Sequence, residues 1–149
     1  FEVCGGLKEG HELLGVIPGG ISAPVLTPDE LDIPITMEDI AKAGSMLGSG
    51  AVIVLDKSAR LISIMRRTSE FFAYESCGKC TPCRDGTNWM TRILVQAEKK
   101  GRLEDGDIDL LNRVIEDIKG KCFCPLGESA QMALEAFLKK FSSAIEVSL

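Results

Sequence analysis

The segment Cys77-Gly78-Lys79-Cys80-Thr81-Pro82-Cys83-Arg84 places a thiol at every third residue over a short stretch of the chain. Two further cysteines, Cys122 and Cys124, follow about forty residues later, and Cys124 directly precedes Pro125. A Cys-x2-Cys-x2-Cys run with a distant cysteine followed by proline is a spacing typical of iron–sulfur sites. Thiolate is also the soft ligand that such centres require. The spacing therefore favours an inorganic iron–sulfur cluster.

Other uses of these cysteines stay open on spacing alone. Zinc sites also contain Cys-x2-Cys pairs, but zinc commonly takes its four ligands as two pairs, whereas these three thiols are evenly spaced. Structural disulfides need an oxidising compartment, and no signal-peptide pattern follows the first residue, Phe1. The alternatives to a cluster are a zinc site, disulfides or free thiols.

Prolines mark helix starts beside the candidate ligands. Pro82 and Pro125 are the only prolines after residue 57, and proline is favoured in the first turn of a helix. We therefore expect Cys83 and Cys124 at or just before helix N-termini, where free N–H groups and the positive helix end favour negative charge. Together with nearby cations, such donors would favour a reduced cluster. The cations are Lys79, Arg84 and Lys121.

The fourth ligand is Cys122 or Cys124, and spacing alone does not decide between them. We favour Cys124, because the helix expected after it supplies N-terminal amides. Cys122 is then predicted to be a free, partly buried thiol or a residue close to the cluster. Cys4, which is far away in sequence, is predicted to be a small core residue.

Composition excludes two functional classes. The chain has 149 residues, of which 45% are hydrophobic and 26% charged, with a net charge of −5. An acidic balance argues against a dedicated nucleic-acid binder, which normally carries a basic patch. Prolines interrupt the longest uncharged stretch, residues 13–28, so no segment supplies the roughly 20 apolar residues of a membrane span.

A change in composition predicts two domains, residues 1–57 and 58–149. The first has 9 acidic and 3 basic residues and only one of the six cysteines, whereas the second has 13 acidic and 14 basic residues. The first reads as a small sheet packed on one helix. Thr36 would cap that helix, Ile40, Ala43 and Leu47 would share its face, and residues 48–50 would end it. The apolar run 51–55 predicts a central strand covered on both faces.

The second domain shows four amphipathic segments, which predict a helical bundle. Their apolar faces are Leu61, Ile64, Met65 and Phe72; Met90, Ile93, Leu94 and Ala97; Ile108, Leu111, Ile115 and Ile118; and Leu126, Ala130, Ala133, Leu134, Phe137 and Phe141. Asp105 or Asp107 could cap the third helix, and Gly101 and Gly120 lie where helices should stop.

Histidine and tryptophan each occur once, and neither residue is predicted to belong to a functional site. His11 is the only histidine, and in a loop-like segment it is predicted to be a surface residue rather than a ligand. Trp89 is the only tryptophan, and its place on an apolar helix predicts a core position rather than an electron path.

These motifs together resemble one known family. Residues 75–86 (ESCGKCTPCRDG), with Trp89-Met90 after them, resemble the cluster loop of the NADH-binding flavoprotein subunit of respiratory complex I. Residues 124–128 (CPLGE) look like the fourth-ligand motif of that family. Residues 4–6, 16–20 and 47–56 are similar to its small β-grasp domain, which is ubiquitin-like and of the soluble-ligand-binding type. The resemblance implies an α+β fold, in which this β-grasp domain precedes an all-α four-helix bundle.

The resemblance also implies a ligand set and a role. Cys77, Cys80, Cys83 and Cys124 would bind one 4Fe–4S cluster, which accepts electrons from FMN reduced by NADH. The cluster would pass them toward quinone through iron–sulfur clusters of partner subunits in the peripheral arm. Such a subunit is peripheral, on the cytoplasmic face of the bacterial inner membrane or the mitochondrial matrix side. Cys122 departs from the family pattern, where a hydroxyl or another small residue is more usual.

The FMN and NADH sites of this family belong to an N-terminal domain that the present residues do not resemble. Because the chain begins with Phe1 rather than methionine, we expect a fragment or a processed product. Because the FMN and NADH sites belong to that other domain, we expect this chain to lack NADH oxidation activity by itself. The diaphorase subunits of NAD(P)-linked hydrogenases and formate dehydrogenases share this architecture and are alternatives. A zinc-stabilised structural or binding module is an alternative of another class.

Overall fold

The structure, a computed structural model, describes residues 5–146 and divides the chain into two compact units, residues 1–59 and 60–149. Composition places the boundary after Lys57, two residues before the structural division. Cys4, which we predicted as a core residue, lies outside the described residues.

The first unit contains a two-stranded antiparallel sheet, formed by β1 (Leu13–Ile17) and β2 (Ile53–Asp56). Val16 pairs with Val54 of β2 and, on its other side, forms an isolated antiparallel bridge with Leu26. A 3-10 helix follows that bridge at residues 28–30. The buried apolar side chains of this unit are Ile17, Ala23, Val25, Leu26, Ile40 and Leu55.

The prediction of a central strand covered on both faces is wrong within this unit. Val52, Ile53 and Val54 are 62%, 38% and 46% exposed, and only Leu55 of the apolar run is buried. The physical reason is that β2 has one strand neighbour, β1, among the described residues. An apolar run indicates a tendency to be buried but does not specify what covers it.

The helix of the first unit, α1 (Met37–Lys42), is shorter than predicted. Thr36 caps it as expected, because its Oγ1 accepts the Asp39 N–H at 3.1 Å. The helix stops well before residues 48–50, since Gly44 adopts a left-handed conformation with φ of +79° and donates its N–H to the Ala41 carbonyl. Leu47 therefore lies outside the helix.

The second unit is helical. Its four long helices are α2 (Leu61–Glu75), α3 (Thr81–Lys100), α4 (Asp105–Ile118) and α5 (Pro125–Lys140), and a short α6 (Ser142–Glu146) follows them. Helix α2 packs against α3 and α5, and α4 packs against the same two helices. The most deeply buried large side chains at their centre are Met65, Met90, Leu94, Leu111, Ile115, Ile118, Leu134 and Phe137.

Two details of these helices differ from the sequence prediction. Glu104 rather than Asp105 is the N-cap of α4, while Asp107 completes the capping box by accepting the Glu104 N–H. Trp89 is 52% exposed and not a core residue, because it lies on the rim of an open groove beside Leu110 of α4. The prediction that Gly101 ends the preceding helix is confirmed, since it is the left-handed C-cap of α3.

The described residues thus form a mixed structure of helices and one small two-stranded sheet. Within residues 5–146, no helix combines the length and the apolar character that crossing a bilayer requires.

Candidate iron–sulfur site

Helix starts position the cysteines of both segments. Cys80 is the N-cap of α3, Pro82 lies in the first turn of that helix, and Cys83 follows inside the same turn. Cys124 is the N-cap of α5, and Pro125 is its first helical residue. Cys124 therefore lies directly before a helix start, as predicted. Cys83 is the third residue of α3 and so lies just inside the helix rather than at or before its start.

These helix starts bring four thiols around one cavity. Cys77, Cys80, Cys83 and Cys124 all line a cavity of about 130 Å³ in the second unit. The remaining lining residues are Glu75, Ser76, Lys79, Phe123 and Leu126. Cys122, the fifth cysteine of this unit, is not part of that lining. The structure therefore brings together the four cysteines that the family resemblance grouped, and the fifth lies outside the cavity lining.

The four thiols differ in exposure, so the cavity has a buried end and an open end. Cys83 is 5% exposed, Cys80 is half-buried, and Cys77 and Cys124 are exposed. Burial raises the pKa of Cys83, and the nearby Cys80, Cys124 and Cys77 raise it further, while the Ser76 hydroxyl acts in the opposite sense. This mutual influence follows from the position of all four thiols around one cavity.

Backbone amides favour a negative charge on Cys80. The Phe123 N–H lowers the pKa of the Cys80 thiol most strongly, and the N–H of Cys83 and the thiol of Cys122 add to this effect. A low thiol pKa favours the thiolate, which is the form that binds metal. Backbone amides just before α5 and in the first turn of α3 thus favour the thiolate at Cys80, whereas the sequence analysis expected this effect at Cys83 and Cys124.

Cys122 has a different environment. Its Sγ is directed at the Ile118 carbonyl, 3.7 Å away, and burial raises its pKa to about 12, with a further contribution from Cys80. The Cys122 thiol thus contacts the Ile118 carbonyl on one side and the Cys80 thiol on the other. Cys122 is therefore a half-buried thiol that bonds to Cys80 but does not line the cavity, which is compatible with both sequence interpretations.

Ser76 is a site residue that the sequence analysis missed. Its Oγ lies 3.3 Å from Cys83 Sγ, and it also accepts the Gly78 N–H at 3.4 Å. The sequence signal for it is a serine two residues before a glycine, because serine hydroxyls often bond to the backbone two residues on. Gly78 has a φ of +74°, which glycine adopts at little cost.

The three cations predicted near the site have different places. Lys79 lines the cavity. Arg84 instead stabilises the loop between α2 and α3, because its Nη1 donates to the Gly78 carbonyl at 3.1 Å. Lys121 was expected near the cavity, but its Nζ donates to the Glu116 carbonyl at 3.0 Å, at the end of α4. Lys79 is thus the one of these three cations that lines the cavity.

The donor set fits an iron–sulfur cluster. Four thiols line one cavity, and such clusters are held by four cysteine thiolates. The backbone N–H that bonds to the Cys80 sulfur is the kind of donor that tunes these centres.

His11 lies in the first unit, whereas the cysteines of the cavity belong to the second. Its side chain is 36% exposed, and its Nδ1 lies 2.5 Å from the Asp56 Oδ2. The prediction of a surface residue is confirmed.

Comparison with known proteins identifies the second unit. Residues 63–148 match the model of the NADH-ubiquinone oxidoreductase-F iron-sulfur binding region. The chain is 44% identical over 140 residues to an F subunit of NADH-quinone oxidoreductase (F 2) of Rhizobium meliloti, covering 94% of this chain and 33% of that relative. It is 41% identical over 146 residues to the F subunit of NADH-quinone oxidoreductase of Streptomyces coelicolor, covering 98% of this chain and 32% of the relative.

The fold has a counterpart among solved structures. An NAD+-reducing [NiFe]-hydrogenase in the H2-reduced state matches with a TM-score of 0.79 and 27% sequence identity, over 93% of this chain and 23% of the hydrogenase chain. The chain spans about a third of the length of the curated relatives it matches. All residues that line the cavity lie inside the region that the family model matches. The chain belongs to the NADH-ubiquinone oxidoreductase-F iron-sulfur binding family.

Proposed function

We propose that this chain holds one 4Fe–4S cluster on Cys77, Cys80, Cys83 and Cys124 and acts as a one-electron transfer module of an NADH-quinone oxidoreductase. The observation that carries the proposal is that two distant segments place these four thiols around one cavity. The name of the matched family and the names of the relatives support the same assignment.

The residues of the cavity have separable tasks in this proposal. A bound 4Fe–4S cluster supplies reversible one-electron transfer. Cys83 anchors the buried end of the site, and the N–H groups that act on Cys80 favour the negative charge that the ligands share. Cys77 and Cys124 form the exposed end, which is the side where a redox partner can approach closely.

We further propose the wider route that the relatives suggest. Electrons would come from FMN reduced by NADH, both bound by the part of the protein that this chain does not span, and would pass to iron–sulfur clusters of partner subunits toward quinone. The protein would be peripheral, at the cytoplasmic face of the bacterial inner membrane or on the mitochondrial matrix side. In the same proposal, the small sheet of the first unit belongs to a β-grasp domain and α2–α5 form a four-helix bundle.

A second candidate is the diaphorase subunit of an NAD-linked hydrogenase. The similarity to an NAD+-reducing [NiFe]-hydrogenase over 93% of this chain favours it. The higher identity to the F subunits of NADH-quinone oxidoreductases supports the first candidate instead. Purification of the native complex would separate them, since a co-purifying nickel-containing subunit would favour the hydrogenase.

Redox spectroscopy tests the electron-transfer proposal. We expect the anaerobically prepared protein to be brown and to take up about one electron per chain from dithionite, because one four-iron cluster cycles between two states. The reduced protein should then give a paramagnetic resonance signal that the oxidised protein lacks. A colourless protein that takes up no electron and gives no signal after anaerobic cluster reconstitution would contradict the proposal.

A further inference from the structure

We infer that the Ser76 hydroxyl donates a hydrogen bond to the Cys83 sulfur and thereby raises the reduction potential of the cluster. This inference rests on the proposed function, because it requires Cys83 to be a cluster ligand. Ser76 would be a positioning and tuning residue, which acts on the cluster through a ligand sulfur rather than binding iron.

The direction of the hydrogen bond follows from its two neighbours. Ser76 Oγ accepts the Gly78 N–H at 3.4 Å, and it lies 3.3 Å from Cys83 Sγ. A sulfur that binds iron has lost its proton and can only accept a hydrogen bond. The Ser76 O–H must therefore be the donor, with the Gly78 amide on its other side.

The surrounding chain holds the hydroxyl in place. Ser76 is the C-cap of α2 and has an extended conformation. The loop between α2 and α3 begins there. Arg84 Nη1 binds the Gly78 carbonyl at 3.1 Å and so restrains, on the other side of its Cα, the residue whose N–H bonds to Ser76. Cys83 in turn is held by its own carbonyl, which accepts the Thr87 hydroxyl at 2.7 Å.

The burial of Cys83 strengthens the effect of this hydrogen bond on the cluster. Cys83 is the most buried of the four cavity thiols, at 5% exposure, whereas Cys77 and Cys124 are exposed. A hydrogen bond is electrostatically stronger where water is excluded. The other thiols are more open to water, which can donate to their sulfurs and replace a lost protein donor.

The effect on potential follows from charge. The oxidised cluster takes up one electron on reduction, and Ser76 keeps its proton throughout, so the step adds one negative charge shared by iron and sulfur. A donor to a ligand sulfur stabilises the more negative state more strongly, and hydrogen bonds to the sulfurs are one of the terms that set cluster potentials. Removing the hydroxyl should therefore disfavour reduction.

The test is a redox titration of the full chain with its cluster, monitored by paramagnetic resonance. We expect Ser76→Ala to lower the one-electron equilibrium constant for reduction about tenfold, which is about 59 mV. Ser76→Thr keeps a hydroxyl and should stay within about threefold of the wild type, which corresponds to roughly 28 mV on the same scale. Ser143→Ala, at an exposed serine of α6, is the matched control and should leave the potential unchanged.

A second pair of variants keeps the test decisive if Ser76→Ala loses the cluster. Ser76→Thr and Ser76→Val have similar side-chain volumes and differ in the hydroxyl, so retention of iron by the first alone supports the hydrogen bond. Loss of iron in both would overturn the inference, as would a Ser76→Ala potential equal to that of the wild type. A wild-type chain that holds no iron–sulfur cluster would overturn the proposed function itself, so the two failures are distinguishable.

Discussion

Cys124→Ser is expected to abolish stable cluster binding, with most of the iron lost after anaerobic reconstitution and desalting. The change replaces one of four thiolates that line the cavity with a hydroxyl that stays protonated at neutral pH and binds iron poorly. Serine is also a good N-cap residue, so the start of α5 should be preserved. Iron content per chain measures the loss, and the far-ultraviolet circular dichroism spectrum should match that of the wild type.

Cys122→Ser is the matched control for this experiment. Cys122 lies only two residues away and is half-buried, but it does not line the cavity, and its thiol is directed at the Ile118 carbonyl. The Cys122 thiol also bonds to Cys80, and a serine hydroxyl can donate to either partner, so the iron content should stay at the wild-type level. Iron retained in Cys124→Ser and lost in Cys122→Ser would reverse our ligand assignment.

Gly127→Ala is expected to destabilise the second unit by about 1–3 kcal/mol, the usual cost of overpacking a tight site. Gly127 is buried in the first turn of α5, and a Cβ there would overlap Cys122 Sγ and lie 3.3 Å from Cys83 Cβ. Because Cys83 is a proposed ligand, the displacement should also reduce the iron content. Chemical denaturation and iron analysis of the same preparation measure the two effects.

Two further variants show whether the overlap is the cause. Gly106→Ala in α4 meets no atom within 4 Å, so it should be neutral or stabilise the chain by about 0.4–1 kcal/mol. Combining Gly127→Ala with Cys122→Ala removes the overlapping sulfur and should recover part of the lost stability. A Gly127→Ala protein as stable and as iron-rich as the wild type would show that the close packing around Cys122 is misdescribed.

The grouping of the ligands could be predicted from sequence because it depends on short-range geometry. Three cysteines spaced by three residues across a helix start must lie near one another, and a proline marks that start. The contact between Ser76 and Cys83 could not be predicted from the cysteine spacing. It depends on the left-handed turn at Gly78 and on the hydrogen bond from Arg84 to the Gly78 carbonyl. The contact of Lys121 could not be predicted for a similar reason, because the Glu116 carbonyl that binds it belongs to the preceding helix.

The fold was predictable where periodicity alone decides it. The four long helices lie where apolar residues recur every three or four positions, and their buried residues include most of the predicted faces. Periodicity identifies an apolar side but not the element that covers it, so Trp89 and the strand residues Ile53 and Val54 were expected inside and are partly exposed. The length of α1 was overestimated because Gly44 stops it before the apolar pattern ends.

Metal analysis of the anaerobically prepared full chain tests the central claim most directly. An X-ray fluorescence scan across the iron and zinc edges, combined with iron quantification, should show about four iron atoms per chain and no stoichiometric zinc, as one four-iron cluster requires. The wild type is sufficient for this measurement, and Cys124→Ser provides its internal reference. One zinc per chain with no iron would contradict the account and identify a zinc-stabilised module instead.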